Sequence, residues 1–457
     1  METGIAAIDW EQAGAEAADL LGQLIQADTS NPPGNERAAA DVLARYLGRV
    51  ELPAQILEPQ PQRSNLVCRL AGREPGQQLV LLSHLDVVPA APQGWERPPF
   101  GGERAGGYVW GRGALDIKSL TAIEALCLAL IRRHQIPLRR GVTLAATADE
   151  ERGGTLGAKW LAEHHADLLR APFVINEGGG HDITAAGHRY YLCQTGEKGV
   201  CQLSVTVSGA PGHGAMPRPA HAVGTLVRIV AKLQDDPFPY RLVPATATLL
   251  ERLANDNGGL FSEALGRLRA GTFDPATLDD LPVSDYFLPE LRAMLADTLT
   301  PTVLSAGGPV NVVPGQARAL FDGRTLPDTD PQTVLDKVAR YAASVSREGV
   351  EVTPLAVSAG VGFGHRTALF ETIQGVMHRH DPEAQVVPYL CPGATDARHL
   401  SVLPDITVYG FRPMRQSADA PRHRLVHGVN ERISVENLIF GARALFDIVV
   451  GCCGTTA

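Results

Sequence analysis

Five short segments of the chain carry histidine imidazoles and carboxylates, the side chains that bind divalent metal ions best. In chain order they are Ser83-His84-Leu85-Asp86, Gly113-Ala114-Leu115-Asp116, Asp149-Glu150-Glu151, Asn176-Glu177-Gly178 and Val426-His427-Gly428. His84 and Asp86 are two residues apart, so they point the same way in an extended segment. A neighbouring carboxylate commonly orients a metal-binding imidazole. This mixture of nitrogen and oxygen ligands suits zinc, with cobalt or manganese as alternatives.

Each segment also has a plain structural explanation when it is taken alone. Asp116 could cap the helix that follows it, because aspartate is a favoured N-cap residue. The acidic run 149–151 could be a solvated turn, and Glu177 could be an incidental acid in a glycine-rich turn. His427 could be a capping or surface residue. Together, however, two histidines and three carboxylates can form two metal positions about 3.5–4 Å apart that share one carboxylate.

The segments follow apolar runs that are typical of buried strands. Residues 79–82 are continuously apolar, as in a strand covered on both faces, and strand-like runs at 141–147 and 173–175 precede the two acidic segments. Helical spacing over 119–132 separates the first two strands. Strands that alternate with helices predict an α/β fold with a mainly parallel sheet flanked by helices. Ligands of such sheets bind beyond the carboxyl ends of the strands, which would bring the segments together.

The pattern changes around Gly196. Residues 200–208 alternate apolar and polar side chains, as in a strand with one solvated face. A Pro- and Asp-rich stretch at 235–300 looks like an insertion, and further strand and helix patterns follow it. Pro354 would restrict the last strand of this region to a sheet edge.

The length of 457 residues suits two or three domains. The α/β pattern returns after about residue 360. We therefore predict a discontinuous catalytic domain, 1–198 and 359–457, with an inserted α+β lid domain at 199–358.

Composition and charge exclude several classes of function. The chain has 41 basic and 50 acidic residues, a net charge of −9, and no basic block. Binding to nucleic acid or to an anionic membrane is therefore not expected. A transmembrane helix and a signal peptide are not expected either, because neither pattern is present in the sequence. The seven cysteines lack a C-x-x-C pair, which favours reduced thiols and a cytoplasmic location.

The chain resembles the zinc metallopeptidase and deacylase family that includes acetylornithine deacetylase, succinyl-diaminopimelate desuccinylase, aminoacylase and glutamate carboxypeptidase. The resemblance covers nearly the whole chain. It rests on the five segments in family order, on the inserted domain and on Thr29-Ser30-Asn31-Pro32-Pro33-Gly34-Asn35-Glu36. It implies two zinc ions per chain. The implied ligands are His84, Asp116 and Glu177 for one ion, and Asp116, Glu151 and His427 for the other.

The resemblance also implies catalytic roles. The two ions would activate a shared water as hydroxide, with Glu150 as the general base. Asp86 would orient His84, and the peptide bond after Asp116 would be cis. His213, in the lid loop Gly212-His213-Gly214, would complete the active site.

Four further residues resemble the family's substrate contacts: Asn311, Arg324, Gly393 and Thr395. Arg324 could grip a substrate carboxylate through two parallel hydrogen bonds, although it could equally be an ordinary ion-pair partner. The lid domain could also join two subunits into a homodimer.

Glutamate at position 177, where strict peptidases of the family have aspartate, favours the deacylase branches. The predicted enzyme is therefore a metallohydrolase that cleaves the amide bond of an N-acyl amino acid, a small substrate with a free carboxylate. The alternative is a metallo-di- or carboxypeptidase with the same two-metal site. A non-catalytic relative would be expected to lack Glu150 or a metal ligand, and all of them are present.

Overall fold

The computed structural model describes residues 8–216, 219–417 and 419–455, which form alternating strands and helices. The helices are α1 (Trp10–Gln26), α2 (Glu36–Gly48), α3 (Lys118–Arg133), α4 (Ala158–His164), α5 (Ala166–Leu169), α6 (Ala222–Asp235), α7 (Pro244–Asn257), α8 (Gly259–Ala270), α9 (Leu288–Met294), α10 (Gln332–Val345), α11 (Ala368–His380), α12 (Ala397–Leu400), α13 (Arg422–Leu425) and α14 (Val435–Cys453). Short 3-10 segments are Glu150–Arg152 and Pro275–Asp280. The strands are β1 (Ala54–Gln60), β2 (Arg63–Leu70), β3 (Gln77–His84), β4 (Arg104–Ala105), β5 (Tyr108–Trp110), β6 (Gly141–Thr147), β7 (Phe173–Asn176), β8 (Asp182–Ala185), β9 (His188–Glu197), β10 (Gly199–Ser208), β11 (Gly212–His213), β12 (Thr298–Ala306), β13 (Val312–Val313), β14 (Gln316–Thr325), β15 (Val350–Ser358), β16 (Val361–Gly362), β17 (Gln385–Cys391), β18 (Thr407–Gly410) and β19 (Arg432–Ser434).

The described chain divides into two compact units. The first comprises the described residues of Met1–Thr195, Phe363–Tyr389 and Thr395–Ala457, and the second comprises those of Gly196–Gly362 and Leu390–Ala394. The segment Leu390–Ala394 is assigned to the second unit, whereas the predicted boundaries placed it in the catalytic domain. No change of sequence pattern marks that segment.

The sheet of the first unit has a parallel centre and antiparallel edges. Its strands lie in the order β1-β2-β6-β3-β7-β18-β9, and β8 and β17 also pair with β9. Strands β6, β3, β7 and β18 are parallel to one another. Strands β1, β2 and β9 pair in the antiparallel sense. The predicted α/β class with a mainly parallel central sheet is confirmed, and the antiparallel edges were not anticipated.

Strand β3 shows why the central strands are continuously apolar. Leu79 and Leu81 pack into the core that α1, α2, α3, α11 and α14 form on one face. Val80 and Leu82 pack into the core that α4, α5 and α12 form on the other. All four side chains are fully buried, and each such burial stabilises the fold by about 1.5–3 kcal/mol. Packing on both faces holds the strand in place, and it ends at His84.

Side-chain caps begin several of these helices. Asp9 accepts hydrogen bonds from the main-chain N–H groups of Glu11 and Gln12 at the start of α1. Thr367 and Ser434 cap α11 and α14 in the same way. Such caps satisfy N–H groups that have no partner within the helix.

The second unit is built on an antiparallel sheet in the order β12-β14-β10-β15. Leu203, Val205 and Val207 of β10 are buried on the face covered by α6 and α10. Pro354 lies in β15 at the sheet edge, as the sequence predicted, and the register shifts where it faces Leu203. Residues 235–300 contain α7, α8 and α9. Among the described residues, no helix has the length and apolar character needed to cross a bilayer.

Candidate metal centre

The carboxyl ends of three parallel strands bring together three of the predicted ligands. Strand β3 ends at His84, which lies opposite Thr147 at the end of β6. The 3-10 segment that contains Glu151 follows β6, and Glu177 directly follows β7. Because β6, β3 and β7 are neighbours, these side chains reach the same edge of the sheet.

Two loops supply the other ligands. Asp116 lies between β5 and α3, and the peptide bond from Asp116 to Ile117 is cis, as the resemblance implied. His427 lies between α13 and β19 with a φ of 59°, a left-handed conformation that is uncommon outside glycine. Gly113, with a φ of 90°, makes the turn before Asp116. A Cβ atom at Gly113 would lie 2.9 Å from Val87 Cγ1, so the turn requires glycine.

The ligands form two groups that share Asp116. In one group, His84 Nε2 lies 3.3 Å from Asp116 Oδ1 and 3.6 Å from Glu177 Oε1. In the other, His427 Nε2 lies 3.0 Å from Asp116 Oδ2 and 3.4 Å from Glu151 Oε2. Within each group the ligand atoms all lie within 4.8 Å of one another. Asp116 therefore offers a different oxygen to each group, as a bridging carboxylate does.

The donor set fits two divalent cations. Each group combines one imidazole nitrogen with carboxylate oxygens, a set that zinc accepts. Glu151 Oε1 is buried and has no hydrogen-bond partner among the described residues. The carboxylates of Asp116, Glu150, Glu151 and Glu177 converge, and their mutual repulsion favours a bound cation. The described residues thus fit the metal pair that the sequence predicted.

Protonation of the metal-free side chains follows from these contacts. Burial disfavours ionised Asp116, but hydrogen bonds from His427 and His84 hold its pKa well below the usual range. Hydrogen bonds to Asp116 and Glu151 raise the pKa of His427 to about 10. Burial, and then repulsion by Glu177, raise the pKa of Glu150 well above its usual value. The imidazoles must lose their protons to bind metal, so metal binding releases protons.

Asp86 contacts His84 through its main-chain oxygen, and its carboxylate contacts main-chain N–H groups of two other site residues. His84 Nδ1 lies 2.9 Å from the main-chain oxygen of Asp86 and 3.6 Å from its carboxylate. The buried carboxylate instead accepts the N–H groups of Glu150 and Glu151, at 3.0 and 3.1 Å. Asp86 therefore positions both the predicted base and a predicted ligand.

The first acid of the run, Asp149, turns away from the ligand groups. Asn31 Nδ2 donates to Asp86 Oδ2 at 2.9 Å and to Asp149 Oδ1 at 3.0 Å. Arg63 joins Asp149 and Glu36 through ion pairs of 2.8 Å. The segment that contains Asn31 and Glu36 is part of the family resemblance, but no pattern in the sequence indicates this supporting role for either residue.

A buried cation also lies beside the loop of Asp116. Arg412 donates to the main-chain oxygen of Leu115 and, at 3.1 Å, to Ser119 Oγ. Burial lowers the pKa of Arg412 to about 10. No local sequence pattern marks this residue, because its partners lie almost three hundred positions earlier in the chain.

Of the predicted substrate contacts, Thr395 lies near the strand ends of the first unit. Its Oγ1 accepts a hydrogen bond of 3.0 Å from Asn176, the last residue of β7. The next residue, Asp396, accepts one of 2.8 Å from Thr147 at the end of β6. Gly393 belongs to the second unit.

The other three predicted residues also lie in the second unit. His213 pairs with Val312 between β11 and β13, and Gly214 N donates to Asn311 O at 2.7 Å, so His213 and Asn311 are neighbours. His213 is exposed. Arg324 forms an ion pair of 3.0 Å with Asp322 on the same strand.

A family model described as peptidase family M20/M25/M40 matches residues 80–450. The chain belongs to this family. An N-fatty-acyl-amino acid synthase/hydrolase PM20D1 of Xenopus tropicalis is 32% identical over 374 residues, which cover 78% of this chain and 69% of that protein. Aminoacylase-1 of Sus scrofa is 25% identical over 423 residues, covering 91% and 89%. The crystal structure of an M20 family metallo-carboxypeptidase from Sulfolobus solfataricus matches with a TM-score of 0.71 and 16% identity, covering 95% of this chain and 98% of that one.

Membership of the M20/M25/M40 family confirms the predicted enzyme class, a metallohydrolase that acts on amide or peptide bonds. The cytoplasmic location stays a prediction. The roles proposed for individual residues of the metal centre also stay predictions.

Proposed function

We propose that this enzyme hydrolyses the amide bond of N-acyl amino acids at a centre of two zinc ions. The observation that carries the proposal is the pair of ligand groups that share Asp116, with Glu150 beside them. The similarity to an N-fatty-acyl-amino acid synthase/hydrolase and to an aminoacylase favours an acyl amino acid substrate. A di- or carboxypeptidase is the second candidate, because the family description names peptidases.

His84, Asp116 and Glu177 would hold one zinc ion, and Asp116, Glu151 and His427 the other. When bound, the paired ions lower the pKa of a water molecule and polarise the scissile carbonyl. Cobalt or manganese could replace zinc in this mixed nitrogen and oxygen site.

The chain's own residues would move the proton and hold the substrate. Glu150 would take a proton from the attacking water and give it to the leaving nitrogen as the C–N bond breaks, which yields a carboxylate and an amine. His213 would donate to the oxyanion. Asn311, Arg324, Gly393 and Thr395 would contact the substrate, with Arg324 on its free carboxylate.

We further propose that the second unit acts as a lid and as a dimerisation module. Strand β12 is the edge of its sheet, and Val303 and Leu304 there are 43% and 61% exposed. An edge strand offers unpaired main-chain groups to a second copy.

A matched substrate panel tests the proposed activity. The zinc-loaded enzyme is assayed with N-acetyl, N-succinyl and long-chain N-acyl forms of one amino acid, with dipeptides that end in it, and with each substrate's C-terminal amide as a control. We expect the highest kcat/KM for an N-acyl amino acid and a loss of rate on amidation. Preference for dipeptides would support the second candidate, and no turnover of either class would contradict both.

A further inference from the structure

The loop that carries Asp116 wraps around one buried carboxylate, that of Glu431. Glu431 Oε1 accepts hydrogen bonds from three main-chain N–H groups, those of Gly113, Leu115 and Asp116, at 3.1, 2.7 and 3.0 Å. The main-chain oxygen of Glu431 also accepts the N–H of Gly111 at 2.9 Å. Glu431 is fully buried. Because the bridging residue Asp116 is itself one of the donors, the conformation of the bridge depends on this carboxylate.

Arg112 connects the same carboxylate to the second imidazole ligand. Its Nη1 lies 2.5 Å from Glu431 Oε2, and its Nη2 donates to the main-chain oxygen of His427 at 3.1 Å. Arg112 is only 3% exposed. One buried ion pair therefore holds two segments that lie more than three hundred positions apart in the sequence.

The hydrogen bonds around Glu431 require its carboxylate to be ionised. Three N–H groups and a guanidinium all donate to Glu431, and an ionised carboxylate accepts without donating. A glutamine amide would turn an NH₂ group towards some of these donors and leave them unpaired, which is costly when they are buried. A lysine at position 112 would keep the positive charge but would lose the planar fork that reaches both Glu431 and His427.

We propose that Glu431 and Arg112 form the positioning pair of the metal centre, which sets the placement of Asp116 relative to His427 and thereby the metal affinity. This inference rests on the proposed two-metal centre. Glu431 acts on the bridging residue, which serves both metal positions. Arg112 also acts on His427, which serves only one of them.

The two residues therefore give different expected effects. Glu431→Gln weakens both metal positions by about 10–100-fold, the range typical of residues that support metal ligands. Arg112→Lys weakens the position of His427 by a similar factor and leaves that of His84 and Glu177 within about threefold of wild type.

The test is a cobalt titration of the full chain. Metal-free wild type, Glu431→Gln and Arg112→Lys are titrated with Co²⁺ against a competing chelator, and the visible absorption bands report the two binding steps. The same titration of His427→Ala, which keeps only the position of His84 and Glu177, assigns each step to a position. Glu436→Gln removes the same charge from an exposed residue of α14 and is the matched control, with expected wild-type affinities. Thermal melting of the metal-free proteins shows whether each variant is folded.

The outcomes separate this inference from the proposed function. Folded variants with wild-type cobalt affinities, or equal weakening of both positions in Arg112→Lys, would overturn the inference. If Glu431→Gln does not fold, the cobalt affinities of Arg112→Lys alone test the inference. A wild type that binds two cobalt ions but cleaves no N-acyl amino acid or dipeptide contradicts the proposed function and leaves the positioning pair standing. A wild type that binds fewer than two ions overturns both.

Discussion

The two ligand groups that share Asp116 are built in different ways. His84 ends a central strand and its side chain is 1% exposed, whereas the His427 side chain lies in a loop and is 51% exposed. The core on both faces of β3 fixes the position of His84. The buried ion pair of Arg112 and Glu431 holds the loop of His427.

This difference separates two ways of making a metal site. Hydrophobic packing of the whole domain positions a buried strand, and thereby positions a metal ligand at the end of that strand. A ligand in a loop needs its own polar supports, because little apolar burial holds it in place. We therefore expect the position of His84 to bind metal more tightly and the position of His427 to exchange metal more readily.

The largest expected effect separates metal binding from catalysis. Glu150→Gln removes the proposed base and should lower kcat by about 10²–10⁴-fold, while both metals remain. Activity assays and metal analysis on the same preparation check this. Glu290→Gln, in the second unit, serves as a control for the loss of one carboxylate. Wild-type turnover in both Glu150→Gln and Glu150→Ala would show that Glu150 is not the general base.

The two histidine ligands differ in burial, so replacing each of them should affect stability differently. His427→Ala should lose one metal equivalent and lower the stability of the metal-free protein by less than about 1 kcal/mol, because its pairing with Asp116 and Glu151 is half exposed. His84→Ala should lose one equivalent as well and also destabilise the metal-free protein by about 1–3 kcal/mol, because it empties a buried site. Equal melting temperatures for the two variants would show that the groups are not built differently.

A smaller effect is expected at Asp86, which contacts His84 through its main-chain oxygen and the segment of Glu150 and Glu151 through its carboxylate. Asp86→Asn keeps the side-chain shape but replaces one oxygen that accepts a main-chain N–H from Glu150 or Glu151 with an NH₂ group. We expect metal affinity and kcat/KM to fall by about 10–100-fold. Isothermal titration with zinc, in parallel with Arg112→Lys, ranks the two supports, and an unchanged affinity would assign Asp86 no part in positioning.

The smallest expected effect concerns Glu16, which lies outside the metal centre and contributes to the pH dependence of the stability of the fold. Burial opposes ionised Glu16, but Arg133 and Tyr46 donate to it and hold its pKa below the usual 4.5. This contribution is therefore present above pH 4.5 and is lost as the pH falls through the lowered value.

In Glu16→Gln, we expect the metal-free protein to lose less than about 1 kcal/mol of stability at neutral pH and to show a weaker decline below pH 4.5. Denaturation at a series of pH values measures this, with the exposed Glu383→Gln as control. If the stability of Glu16→Gln falls below pH 4.5 as steeply as that of wild type, Glu16 does not contribute to the acid sensitivity of the fold.

The sequence by itself determined the α/β class, the buried central strands and the candidate ligands. These follow from short-range patterns: the four apolar residues 79–82 specify a strand covered on both faces, and His84 and Asp86 follow it directly. Helix periodicity and strand alternation depend on neighbours a few positions apart, so they can be read without the fold.

Only the tertiary structure decided which acids meet and what supports them. It turned Asp149 towards Arg63 and away from the ligands, and it buried Arg112 against Glu431 across 319 positions of sequence. No local pattern encodes such a pair, because its stability depends on burial and on donors that distant segments contribute only after the chain has folded.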